Sequence, residues 1–107
     1  MKLSIEFTYL AIEDLQGIYD YYADEVSVVK AEQIVTDSYD KINSLIEFPK
    51  RGHFPPELIS IEVFNYKEIH CSVYRIFFSI EEKKITIYAI LDGRRNIIEL
   101  LTKRLMR

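Results

Sequence analysis

A chain of 107 residues with 49% hydrophobic side chains is long enough to bury one core unaided and too short for two, so residues 1–107 are expected to form a single domain. The lone cysteine, Cys71, excludes an internal disulfide framework and suits a reducing cytoplasm. No apolar run nears the roughly 18 residues of a membrane span, and Glu6 inside the first apolar stretch argues against a signal peptide, so a cytoplasmic protein with no membrane partner is expected.

The net charge of −3 is unevenly spread. Residues 1–64 carry five Lys/Arg against twelve Asp/Glu, a balance of −7, and residues 65–107 carry nine against five, a balance of +4. A basic C-terminal half fits either an anion-facing surface or an ordinary solvated one. Eight Tyr and six Phe without Trp point to a sheet packed by aromatics.

Leu3, Ile5 and Phe7 alternate and predict a half-buried strand, after which Thr8 can cap a helix. From Tyr9 to about Val26 the stripe Ile12, Leu15, Tyr19, Tyr22 and Val26 marks that helix as amphipathic, and Gly17 within it suggests a close approach by the next one. Ser27 can cap a second helix with the buried stripe Ala31, Ile34, Val35, Ser38, Ile42, Leu45 and Ile46, ended by Pro49. So short a connection makes the two an antiparallel hairpin. Pro49, Gly52, Pro55 and Pro56 mark a loop, and one or two short strands are expected between Ile59 and His70. Val73–Ile80 reads as a strand, Glu81-Glu82-Lys83-Lys84 as a hairpin turn looser than the tightest kind, and Ile85–Leu91 as a strand with Ile85, Ile87, Ala89 and Leu91 on one face. Asn96 can cap a last helix that turns Ile97, Leu100 and Leu101 inward. The expected fold is α+β: an N-terminal strand, a helical hairpin packed on an antiparallel sheet of about four strands, and a short C-terminal helix.

Several segments carry a resemblance: Ala11-Ile12-Glu13-Asp14-Leu15, the loop Phe48-Pro49-Lys50-Arg51-Gly52-His53 with Pro56-Glu57-Leu58, Tyr66-Lys67-Glu68-Ile69, Tyr74-Arg75-Ile76-Phe77-Phe78, and Ala89-Ile90-Leu91-Asp92-Gly93-Arg94-Arg95-Asn96. In this order, over nearly the whole chain, they resemble the RelE/ParE superfamily of type II toxin–antitoxin toxins, its ParE-like branch above all. Lys67 stands where that family usually has Arg, keeping the charge without the planar fork, and Asn96 where Asp is common. The resemblance implies a toxin neutralised by a cognate antitoxin and acting on DNA gyrase by protein contact, with no cofactor. The alternatives are a RelE-type ribosome-dependent endoribonuclease cutting messenger RNA, and a non-toxic interaction domain.

Candidate target- or antitoxin-binding residues are Lys67, Arg75, Arg94, Arg95, Lys103, Arg104 and Arg107. Arginine forks grip carboxylates or phosphates, but Arg75 and Arg94 could equally pair internally with Glu68 or Asp92. The basic residues of the last turn would also suit the helix dipole. Ribonuclease chemistry needs a base for the 2′-hydroxyl and cations for the phosphate. The tail Thr102-Lys103-Arg104-Leu105-Met106-Arg107 offers no base, leaving His70 and Tyr66, with Arg75 and Arg95, as that reading's candidates. The acidic total disfavours ribosome docking, and no direct sequence-specific DNA binding is expected. His53, His70 and Cys71 have no metal-ligand spacing, so no metal is expected.

Overall fold

The computed structural model describes residues 3–105, in the order β1 (Ser4–Phe7), α1 (Tyr9–Glu25), α2 (Val28–Glu47), α3 (Pro56–Ile59), β2 (Lys67–Cys71), β3 (Tyr74–Glu81), β4 (Lys84–Asp92) and α4 (Ile97–Leu105). The expected α+β architecture is present. Thr8 and Ser27 cap α1 and α2 as their side chains predict, accepting from the backbone N–H of Ala11 and Lys30. Asn96 accepts from the N–H of Glu99 at the start of α4.

The sheet has the order β1-β4-β3-β2. β2, β3 and β4 form the expected antiparallel meander, whereas β1 joins β4 in parallel, which makes the sheet mixed. The parallel pairing follows from connectivity, because the α1–α2 hairpin and the whole meander lie between those strands in the chain. One face of the sheet packs Ile69, Ile76, Phe78, Ile85 and Ile87 against Leu15, Ile34, Ile42 and Leu45 of the hairpin. On the other face Phe77, Ala89 and Leu91 meet Leu58 of α3 and Ile97 and Leu101 of α4.

Five local expectations are corrected. The inward stripe of α1 is Ala11, Leu15 and Ile18, while Ile12 and Val26 are exposed. Two apolar stripes overlap in this helix, and the one that starts with the smallest side chain is buried, since it admits the closest packing. Gly17 faces open space, with nothing near a notional Cβ, so it has no role in helix approach. The expected loop from Pro49 to Pro56 runs into a helical turn, α3, with Pro56 in its first turn, and the short strand expected between Ile59 and His70 is β2, which starts at Lys67. The β3–β4 turn is of the tightest kind, since Glu81 pairs with Lys84 and only Glu82 and Lys83, both at positive φ, lie between. Finally, the register slips at Phe77/Phe78 so that Tyr88 is an extra residue on β4. This bulge reverses the alternation: Ile85 and Ile87 face the hairpin, Ala89 and Leu91 the opposite layer.

Candidate functional site

On the α3/α4 side of the sheet, five polar side chains converge on β2 and β3. Glu68 and His70 lie two residues apart on β2 and therefore share a face. Arg75 on β3 sits directly opposite His70 in the ladder. Glu57 comes from α3, and His53 from the loop before it. The backbone of His53 is tied to that of Glu68 by reciprocal N–H···O=C bonds of 3.0 and 2.7 Å. Glu68 is fully buried, a costly place for a carboxylate unless its oxygens are paired. They are: Arg75 donates Nε to Oε1 at 2.6 Å and an Nη2 hydrogen to Oε2 at 2.7 Å. Arg75 also holds Glu57 through two bonds of 2.7 Å. His70 Nε2 stands 2.9 Å from Glu68 Oε1, and His53 Nε2 3.4 Å from Oε2.

These contacts set the electrostatics. Burial pushes the Glu68 carboxyl up, but the hydrogen bonds from Arg75 and His70, with the neighbouring charges of Arg75 and His53, together outweigh it and hold the group below its ordinary value. Arg75's hydrogen bond likewise lowers Glu57, and the two carboxylates hold Arg75 firmly cationic. Four of the five guanidinium hydrogens are engaged, so Arg75 has little left with which to grip a phosphate. The internal pairing allowed by the sequence is what the structure contains, with Glu57 as the partner the sequence reading missed.

The remaining candidates are dispersed. Tyr66, whose hydroxyl burial pushes up, precedes β2 and packs edge-on against Tyr88. Of the set His70, Tyr66, Arg75 and Arg95, the structure brings His70 and Arg75 together through Glu68 Oε1. Lys67 lies over the ring of Phe54. Arg94 pairs with Asp92 at 2.7 Å and stays largely exposed. Arg95 is exposed, and its side chain makes no hydrogen bond among the described residues. Both arginines line a groove of 640 Å³ between α1 and the end of β4, together with Tyr21, Tyr22 and Tyr74. Lys103 is exposed, 3.6 Å from Glu99. Arg107 lies outside the described residues.

Arg104 turns inward. Its guanidinium forms two bonds to Asp14 of α1, at 2.9 and 3.0 Å, and a third to the carbonyl of Tyr88 at 2.9 Å. Asp14 Oδ2 also accepts the N–H of Ile90 at 2.9 Å. Beyond Phe7, β1 no longer covers β4, and these two side chains satisfy the backbone groups left open there. Sequence reading grouped Arg104 with the exposed basic tail because nothing local identifies a partner 90 residues away.

A second surface runs along the hairpin, where Ile12, Tyr19, Val35 and Tyr39 line a shallow, mainly apolar groove. It exists because the neighbouring stripe of α1 is the one that packs on the sheet.

The family described as "ParE toxin of type II toxin-antitoxin system, parDE" matches residues 5–97. Among solved structures, a chain of the "Chromosomal ParDE TA system from P. aeruginosa" superposes with a TM-score of 0.70 at 24% sequence identity, over 82% of this chain and 92% of that one. That likeness speaks for the fold. No curated protein matches.

Proposed function

Since residues 5–97 match its profile, the chain belongs to the ParE toxin family of type II toxin–antitoxin systems, and from that premise we propose that it arrests growth by binding DNA gyrase and is silenced by a cognate antitoxin. The observation that carries the choice of target is the engagement of Arg75. The strand arginine that a phosphodiester-cleaving site would use is held by Glu57 and Glu68, while the exposed Arg94 and Arg95 rim an aromatic groove suited to protein contact. Binding gyrase requires no general base. The hairpin groove around Ile12 and Tyr39 is the surface on which an antitoxin's disordered segment would fold, burying its apolar side chains.

The test measures supercoiling by purified gyrase and cleavage of a translated messenger RNA on ribosomes, each with the purified toxin. Inhibited supercoiling with intact RNA is expected; RNA cleavage with unaffected gyrase overturns the proposal. One observation favours the ribonuclease reading, namely the packing of His53, Glu68 and His70 into a single cluster. His70→Gln separates the two: toxicity persists if the toxin acts by contact, whereas a lost general base costs on the order of a hundredfold in RNA cleavage.

A further inference from the structure

We propose that His53, Glu68 and His70 form a binding site for a divalent transition-metal ion of the zinc class. Their candidate ligand atoms all lie within 4.8 Å of one another. With metal–ligand bonds of about 2.1 Å, two donors on one ion stand about 3.0 Å apart at a right angle and about 3.4 Å apart at the tetrahedral angle. The nitrogen–oxygen separations already present are of this size, 2.9 Å from His70 Nε2 to Oε1 and 3.4 Å from His53 Nε2 to Oε2, each imidazole facing its own oxygen of the one carboxylate.

The exchange is chemically balanced. To hydrogen-bond Glu68, a neutral imidazole carries its hydrogen on Nε2. When the ion binds, that hydrogen moves to Nδ1 and the freed Nε2 lone pair faces the metal. Glu68 keeps its two bonds to Arg75, which orient it as a second-sphere partner orients a ligating carboxylate. Charge favours the step, because Glu57 and Glu68 outnumber Arg75 and leave the cluster at −1 before any imidazole is protonated. The donor set chooses the ion class: two imidazole nitrogens and one oxygen suit zinc, copper or nickel, whereas calcium and magnesium require oxygens. Both imidazoles are about half exposed, so the ion is reachable and keeps positions open to water. Cys71 is no ligand, since it turns to the hairpin side and contacts Ser38. Sequence spacing conceals the site because one histidine reaches the others across a loop and an isolated bridge.

The experiment uses the untagged full chain. Equilibrium dialysis against Zn2+ is expected to give one ion per chain, with a rise in unfolding temperature that EDTA reverses. Co2+ in its place should give a visible d–d spectrum. His53→Gln and His70→Gln alter exposed side chains and leave the Arg75 pairing intact. Each should weaken Zn2+ binding by about tenfold or more and erase the cobalt spectrum, with an unchanged far-ultraviolet circular dichroism spectrum. Cys71→Ser should bind as the parent does. The proposal is overturned if millimolar Zn2+ changes neither stoichiometry nor unfolding temperature, or if the His53→Gln/His70→Gln double variant binds like the parent. Neither result depends on the toxin's target.

Discussion

Replacing Arg104 with alanine removes three hydrogen bonds and leaves the Asp14 carboxylate with the Ile90 N–H alone. The side chains are 18% and 14% exposed, so water only partly replaces what is lost. Breaking a fully buried ion pair from one side costs about 3–5 kcal/mol, and the residual exposure here lowers that to roughly 2–3 kcal/mol. For a domain of this size each kcal/mol moves the melting temperature by about 4–8 °C, so a fall of roughly 10–20 °C is expected. Urea unfolding of the parent, Arg104→Ala, Asp14→Ala and the double variant should give a coupling of about 1–2 kcal/mol between the two positions. Lys103→Ala is the control: its pair with Glu99 is exposed and one turn away, worth less than about 0.5 kcal/mol. The reasoning is refuted if Arg104→Ala unfolds within about 0.5 kcal/mol of the parent. Deletion from Lys103 onward also removes Arg104, so such a truncated chain is expected to lose at least the same stability.

Gly17→Ala should stabilise the chain by about 0.5–1 kcal/mol in urea unfolding, since a Cβ there meets nothing and the helix gains propensity. Gly52→Ala should cost about 1–3 kcal/mol, because its Cβ would fall 2.6 Å from the fully buried Phe78 ring. The Arg94 side chain, and then its backbone N–H, hold the Asp92 carboxyl at about 2 against an ordinary 3.8. A depressed value gives stability that is present above the ordinary pKa and lost as pH falls toward 2, so Asp92→Asn should flatten stability against pH within that window relative to the parent. Arg95→Ala should leave the unfolding midpoint within about 0.5 kcal/mol and reduce growth inhibition; full toxicity in a folded variant would exclude Arg95 from the contact surface.

What was legible in the sequence is what depends on period and on caps. Thr8, Ser27 and Asn96 announce the three long helices, and the stripe of α2 is buried at Ala31, Ile34, Ser38, Ile42 and Leu45, with Val35 and Ile46 half-buried. Periodicity alone could not choose between the two stripes of α1, since Ala11 is weakly apolar yet decides how closely the helix lies on the sheet. Nor could it reveal the bulge at Tyr88, which exchanges the faces of one strand midway through an unbroken apolar run. The Glu82-Lys83 turn adopts a conformation that glycine and asparagine usually signal. At the candidate site, Glu68 was foreseeable as a partner for Arg75 because it lies on the adjacent strand. Glu57, His53 and Asp14 were not, because each approaches from a loop or helix far away in the chain.

The half-length of β1 has a consequence for behaviour in a crowded cell. A bare strand edge displays alternating N–H and C=O groups that can template another chain, and proteins commonly shield such edges with charge. Where β1 stops, the backbone groups of Tyr88 and Ile90 are already taken by Arg104 and Asp14, and an incoming strand would have to displace an ion pair to dock there. On the opposite border, His53 occupies both backbone groups of Glu68. At these points the margin of the sheet is closed, and at the β4 end the closure joins Asp14 to Arg104, so that part of the guard is complete only after both ends of the chain have folded into place.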